Sequence, residues 1–154
     1  MIKIDLLKNH LGAIPRLAEI WDEALGSVWE PNLPISEIKS WFYEWLNESI
    51  PLAYIALCDG KPVGFCSLQL NDGVRPGLSP WLGDLVVDSK YQKKGIGRML
   101  IDAITNKAQE LGFEKLYLYA FDPTIPDFYT SLGWSTIGID EFKQQPITVM
   151  EMIL

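Results

Sequence analysis

The chain predicts a single α/β domain, and three observations carry that expectation. Strand-like and helix-like segments follow one another in the order βααβββαβαββ, which calls for a sheet with helices packed on it. Asp59-Gly60 between two β-rich runs is a hairpin signal. Trp81 to Leu111 reads as a strand, a glycine loop and a long amphipathic helix. A chain of 154 residues is long enough to hide roughly two-thirds of its unfolded surface in one core, so residues 1–154 form one domain. The expected inventory is six to seven strands and about four helices.

Met1 to Leu7 alternates loosely and suits an edge strand. Ile14, Leu17, Ala18, Trp21, Ala24 and Leu25 recur at helical spacing, with Pro15 in the first turn and Gly26 as the expected stop. Ser27 to Leu33 reads as a loop, and a second helix is expected from Ser36 to Glu48, closed by Pro51. Leu52 to Cys58 and Val63 to Leu70 are the hairpin strands. Asn71 to Pro80, rich in glycine and proline, should be a mobile loop leading into the strand Leu82 to Val87. The helix after the glycine loop shows Leu100, Ile101, Ile104, Ala108 and Leu111 on one face and ends at Gly112. Lys115 to Ala120 is the next strand; Pro126 to Leu132 is a short helix; Ser135 to Ile139 and Ile147 to Ile153 are the last strands.

A net charge of −7 argues against nucleic acid, because a duplex needs a basic face to displace its counterions, and tilts the choice of ligand towards cations. Apolar content of 48% excludes a disordered chain, while no apolar run is long enough to span a membrane. The N-terminal sequence has no apolar segment of export type, so a soluble cytoplasmic protein is expected. Cys58 and Cys66 flank the hairpin turn out of register, Cys58 near Lys61 and Cys66 near Ala53, so both should be free thiols. A lone histidine, His10, with no Cys/His cluster gives no support for a metal site.

Gln92-Lys93-Lys94-Gly95-Ile96-Gly97 ends at a helix N-terminus, where unpaired backbone N–H groups and the helix dipole attract anions. Gly95 and Gly97 let the backbone approach a ligand closely, and Lys93, Lys94 and Arg98 add positive charge. The ligand suggested is a pyrophosphate. Neither G-x-x-x-x-G-K-[ST] nor G-x-G-x-x-G is present, so the two common nucleotide loops do not fit. The run instead resembles the acetyl-CoA signature of the GNAT superfamily of N-acetyltransferases, [QR]-x-x-G-x-[GA], filled by Gln92, Gly95 and Gly97. Phe128-Tyr129 with Leu132-Gly133-Trp134 is similar to that family's F-Y-x-x-x-G-[FW]. The second half of the chain matches closely and the first half only in outline.

That resemblance implies a mixed, strongly twisted sheet and transfer of acetyl from acetyl-CoA, with CoA as product, to an amine by direct attack. It implies that Leu82–Val87 and Lys115–Ala120 splay apart, that the backbone of Leu85, Val86 and Val87 holds the thioester arm, that Gln92 to Arg98, including Ile96, hold the pyrophosphate, and that Phe128 stands beside the cofactor. Tyr129 would protonate the leaving thiolate. Asp84 is either the base that relieves the amine of its proton or a structural acceptor, with Glu30 and Glu23 as weaker candidates. Trp29 and Glu30 would wall the acceptor. The turn Asp122-Pro123-Thr124 lacks the asparagine often found there, which puts that contact to CoA in doubt. The expected acceptor is a small cationic amine; a protein or peptide N-terminus is the alternative, and a non-catalytic acetyl-CoA sensor is the competing class. A homodimer is left open.

Overall fold

The computed structural model describes residues 1–154. Seven strands form one sheet in the order β1-β2-β3-β4-β5-β7-β6: β1 Ile2–Leu6, β2 Leu52–Cys58, β3 Lys61–Gln69, β4 Trp81–Val87, β5 Lys115–Ala120, β6 Ser135–Phe142 and β7 Gln145–Ile153. All neighbours are antiparallel except β4 and β5, so the sheet is mixed. Helices α1 Ile14–Trp21 and α3 Ile35–Tyr43 cover one face through Leu17, Ile38 and Phe42 against Ile55 and Phe65. The long helix α4, Ile96–Glu110, covers the other through Leu100, Ile104 and Ala108 against Leu52, Cys66 and Leu116, joined by Tyr129 and Trp134. The short helix α5, Ile125–Ser131, carries Tyr129 onto that face.

Asp59 and Gly60 both take positive φ, 49° and 84°, as a two-residue hairpin turn of matching twist requires. Cys58 pairs with Lys61 as expected, but Cys66 lies opposite Tyr54 rather than Ala53, because a bulge between Ala56 and Leu57 shifts the register by one. Both thiols are free. Gly112 closes α4 at φ +92°: its N–H reaches the Gln109 carbonyl and the Phe113 N–H that of Ala108, the paired bonds of a Schellman cap.

Four expectations need correction. Gly26 does not stop the first helix; its φ is −58°, and the chain winds on through a π-helical turn, Asp22–Gly26, into the single turn α2, Ser27–Trp29. The wider π turn absorbs a residue without breaking the helical run, and it is frequent at functional sites. The second helix stops at Tyr43, five residues short of Glu48, and turns at Glu44 and Trp45. The last two strands run on to a two-residue turn, Lys143-Gln144, both left-handed at φ 49° and 68°. No glycine or asparagine marks that turn. The Asn71–Pro80 segment is anchored rather than loose: Arg75 grips Asp140 with two bonds of 2.8 Å and Val74 is buried.

Candidate active site

β4 and β5 share one pairing, Trp81 with Tyr117, beside which the Tyr117 N–H donates to the Pro80 carbonyl at 3.0 Å. Beyond it the strands part. On the other side of β4, Phe65 pairs with Val86 and Ser67 with Gly83, so Asp84 and Leu85 together face the single residue Cys66. Asp84 takes φ +50°, a conformation that aspartate tolerates better than most residues. Such a bulge bends its strand and sharpens the twist, and from Leu82 onward the β5 side of the backbone faces a cleft instead of a ladder partner. The cleft encloses about 410 Å³ between Leu82–Leu85, Leu118–Ala120 and the Phe128-Tyr129 edge of α5.

At one end of this cleft lies the glycine loop. Gly95 caps α4 in the left-handed region at φ 81°, preceded by Lys93 at φ 63°. The first bond of the helix runs from the Met99 N–H to the Gly95 carbonyl, so the amides of Ile96, Gly97 and Arg98 precede it. A Cβ on Gly95 or Gly97 would meet nothing within 4 Å, which means open space over the helix N-terminus. Lys93, Lys94 and Arg98 are exposed there, and no acidic residue occupies the first turn. Open space, free amides and three cations fit a pyrophosphate. Two loop residues act differently from their neighbours. Ile96 buries its side chain in the core and offers only its amide, while the Gln92 amide donates to the Val87 carbonyl at 3.2 Å and fastens the loop to β4.

Tyr129 lines the cleft from the opposite side, its ring set edge-on between Phe128 at 5.4 Å and Trp134 at 5.7 Å. Burial, then the nearby Cys66 sulfur, pushes its phenol far above the ordinary range, so it is a protonated donor. Phe128 lines the cleft and leaves 42% of its surface exposed.

Asp84 stands half-buried at the cleft wall and accepts from the Trp21 indole at 3.3 Å. Burial raises its carboxyl, and the indole bond pulls the other way. A second carboxylate, Asp72, reaches the same place from the loop before β4, and burial followed by the charge of Asp84 pushes it up to about 8. Sequence reasoning passed over Asp72. Its only local signal is Asp72-Gly73, which reads as an ordinary turn dipeptide.

Trp29 lines the cleft and packs edge-on against Phe121 at 5.4 Å and Phe142 at 5.6 Å. Behind it, Asp72, Asp84, Tyr119 and Trp29 form the shared wall of a second cavity of about 250 Å³. Glu30 lines that cavity and is tied to Lys143 at 2.7 Å. Glu23 is not brought to either cavity; it pairs with Arg16 at 3.4 Å.

A family model described as the acetyltransferase (GNAT) family matches residues 14–134. The chain belongs to that family. Solved structures of low identity share its fold. One is a GCN5-related N-acetyltransferase from Kribbella flavida, 17% identical, with 99% of this chain and 98% of that one covered at a TM-score of 0.79. Another, aminoglycoside 6'-acetyltransferase type Ii, is 20% identical over 98% and 96% at 0.77. A putative streptothricin acetyltransferase from Bacillus anthracis str. Ames, solved in complex with acetyl coenzyme A, is 22% identical over 73% and 68% at 0.63. The chain is thus an acetyltransferase, with acetyl-CoA as the family's acyl donor. No helix is long and apolar enough to cross a membrane.

Proposed function

We propose that the protein transfers acetyl from acetyl-CoA to the primary amine of a small cationic molecule by direct attack within a ternary complex. The observation that carries this reading is the meeting of a half-buried carboxylate pair, Asp72 and Asp84, with the parted strands β4 and β5 and the Tyr129 hydroxyl at one cleft. Acetyl-CoA supplies an acetyl group already activated as a thioester.

The protein's own residues then have four tasks. The amides of Leu85 and Val87, on the side of β4 turned away from β3, hold the thioester arm and face the charge that develops on its carbonyl oxygen, whereas Val86 pairs with Phe65 of β3. The loop from Gln92 to Arg98 holds the pyrophosphate. The carboxylates solve a proton problem: an alkylammonium of pKa ~10.4 resists losing its proton at pH 7 by about 4–5 kcal/mol. A carboxyl raised towards neutrality takes that proton more readily than an ordinary one. Tyr129 gives its proton to the departing thiolate and is reprotonated by the proton the amine has released, so that the products are the amide and the free thiol, which titrates near ~8.5. Cys66 takes no part as a nucleophile, being wholly buried and held protonated by that burial. Aromatic walls and acidic charge at the second cavity support a cationic acceptor.

The test is release of free CoA thiol when purified protein, acetyl-CoA and a panel of amines are mixed. Thiol release that depends on an amine upholds the reading. Tight acetyl-CoA binding with no thiol released from any amine would make the protein a sensor instead.

A further inference from the structure

The second cavity divides its charge between two places. Asp72 and Asp84 lie in the wall it shares with the cofactor cleft, whereas Glu30 and Glu44 line only the second cavity, Glu44 exposed at its rim where α3 ends. The sole lysine or arginine along it, Lys143, is consumed by Glu30 at 2.7 Å. No ion pair in the protein involves Glu44, Asp72 or Asp84. The indoles of Trp21, Trp29 and Trp41 line the same cavity, Trp21 bonded to Asp84 and set edge-on to Trp41 at 4.8 Å. The four carboxylates do not converge into a group that could hold a metal ion.

We propose that this chamber takes an acceptor bearing two positive charges: the reacting amine sits at Asp72 and Asp84, facing the cleft, and a second ammonium sits at Glu44 near the rim, with an apolar spacer against the indoles. The proposal rests on the acetyl-transfer reading above and names its substrate class. The half-buried inner carboxylates have no protein cation beside them, so an ammonium from the ligand supplies one, and the exposed Glu44 offers a second anion within reach of solvent. Tryptophan faces are the strongest aromatic partners for ammonium groups and also cover methylene chains. A monoamine would satisfy only the inner pair and leave Glu44 unmatched.

The experiment compares kcat/KM for diaminobutane, butylamine and aminobutanol at fixed acetyl-CoA. Aminobutanol keeps the length of the diamine and loses its second charge. Diaminobutane should exceed aminobutanol by roughly two- to fivefold, the value of one ion pair at an exposed rim. Glu44→Gln should bring the ratio close to one. Glu44 is exposed, so the substitution leaves the core intact. Equal turnover of the three amines, or an unchanged ratio in Glu44→Gln, overturns the proposal. If none of the three amines releases thiol, the acetyl-transfer reading is decided by the wider amine panel above, and the chamber is read directly by tryptophan fluorescence. Quenching selective for diaminobutane and weakened in Glu44→Gln upholds it; equal response to all three amines overturns it.

Discussion

The Trp21 indole N–H donates to Asp84 Oδ1 at 3.3 Å, joining the end of α1 to the bulge of β4. Burial lifts the Asp84 carboxyl, and this bond, which favours the charged form, holds part of that lift back. Trp21→Phe removes the donor while keeping an aromatic ring in the core. Asp84 should then titrate higher, and the acidic limb of kcat/KM against pH should move to higher pH. Asp84→Asn should change that limb more than any other single substitution at the site. A pH–rate series on the three proteins checks this, and a limb unmoved in Trp21→Phe would assign it to another group.

Asp72 makes stability fall with pH. Its carboxyl stands at about 8 in the fold against an ordinary value of 3.8, because burial and then Asp84 disfavour its charge. Between those values the folded protein binds a proton that the unfolded chain has released, so its contribution is complete at low pH and is lost as pH rises through about 8. Asp72→Asn should flatten the decline in Tm across this window. A cationic amine should do the same by pairing with the charged form, which thermal melts with and without ligand would show. An equal decline in the variant would remove Asp72 from the linkage.

How far the sequence spoke depended on whether local chemistry or tertiary packing decided each feature. Gly95, Gly112 and Asp59-Gly60 sit where left-handed backbone is needed, so their turns were legible. Lys143 and Gln144 adopt the same region without any residue preference for it, held by the paired strands on either side, and that turn was invisible. Gly26 reads as a stop, yet it packs beside the Asp22 side chain within a π turn that only the surrounding helix contacts select. Asp84 was legible as a carboxylate in a strand; its left-handed backbone and its partnership with Asp72 arise from a bulge and a distant loop that no spacing encodes.

Tyr129→Phe should lower kcat by about 10²-fold, the lower range for loss of a general acid, while acetyl-CoA Kd stays within about twofold. The ring keeps its packing between Phe128 and Trp134, so Tm should barely move. Single-turnover thiol release with an acceptor amine separates the proton step from binding. Undiminished turnover would leave Tyr129 as a packing residue.

Gly97 offers a substitution in which the protein and its ligand should disagree. A Cβ there meets nothing within 4 Å, and the residue lies in the first turn of α4. In the free protein Gly97→Ala should therefore be neutral or stabilising, by up to about 1 kcal/mol, since alanine loses less backbone freedom than glycine on entering a helix. In the complex the new methyl group fills the space in which a phosphate would approach the amides of Ile96 to Arg98. Losing one charge-assisted backbone bond costs about 1.5–3 kcal/mol, so acetyl-CoA should bind at least roughly tenfold more weakly. Gly95→Ala differs, because φ +81° strains any side chain, and it should lose both stability and affinity. Calorimetric titration and melting curves on both variants read the two quantities side by side. Unchanged affinity in Gly97→Ala would move the pyrophosphate away from this helix end.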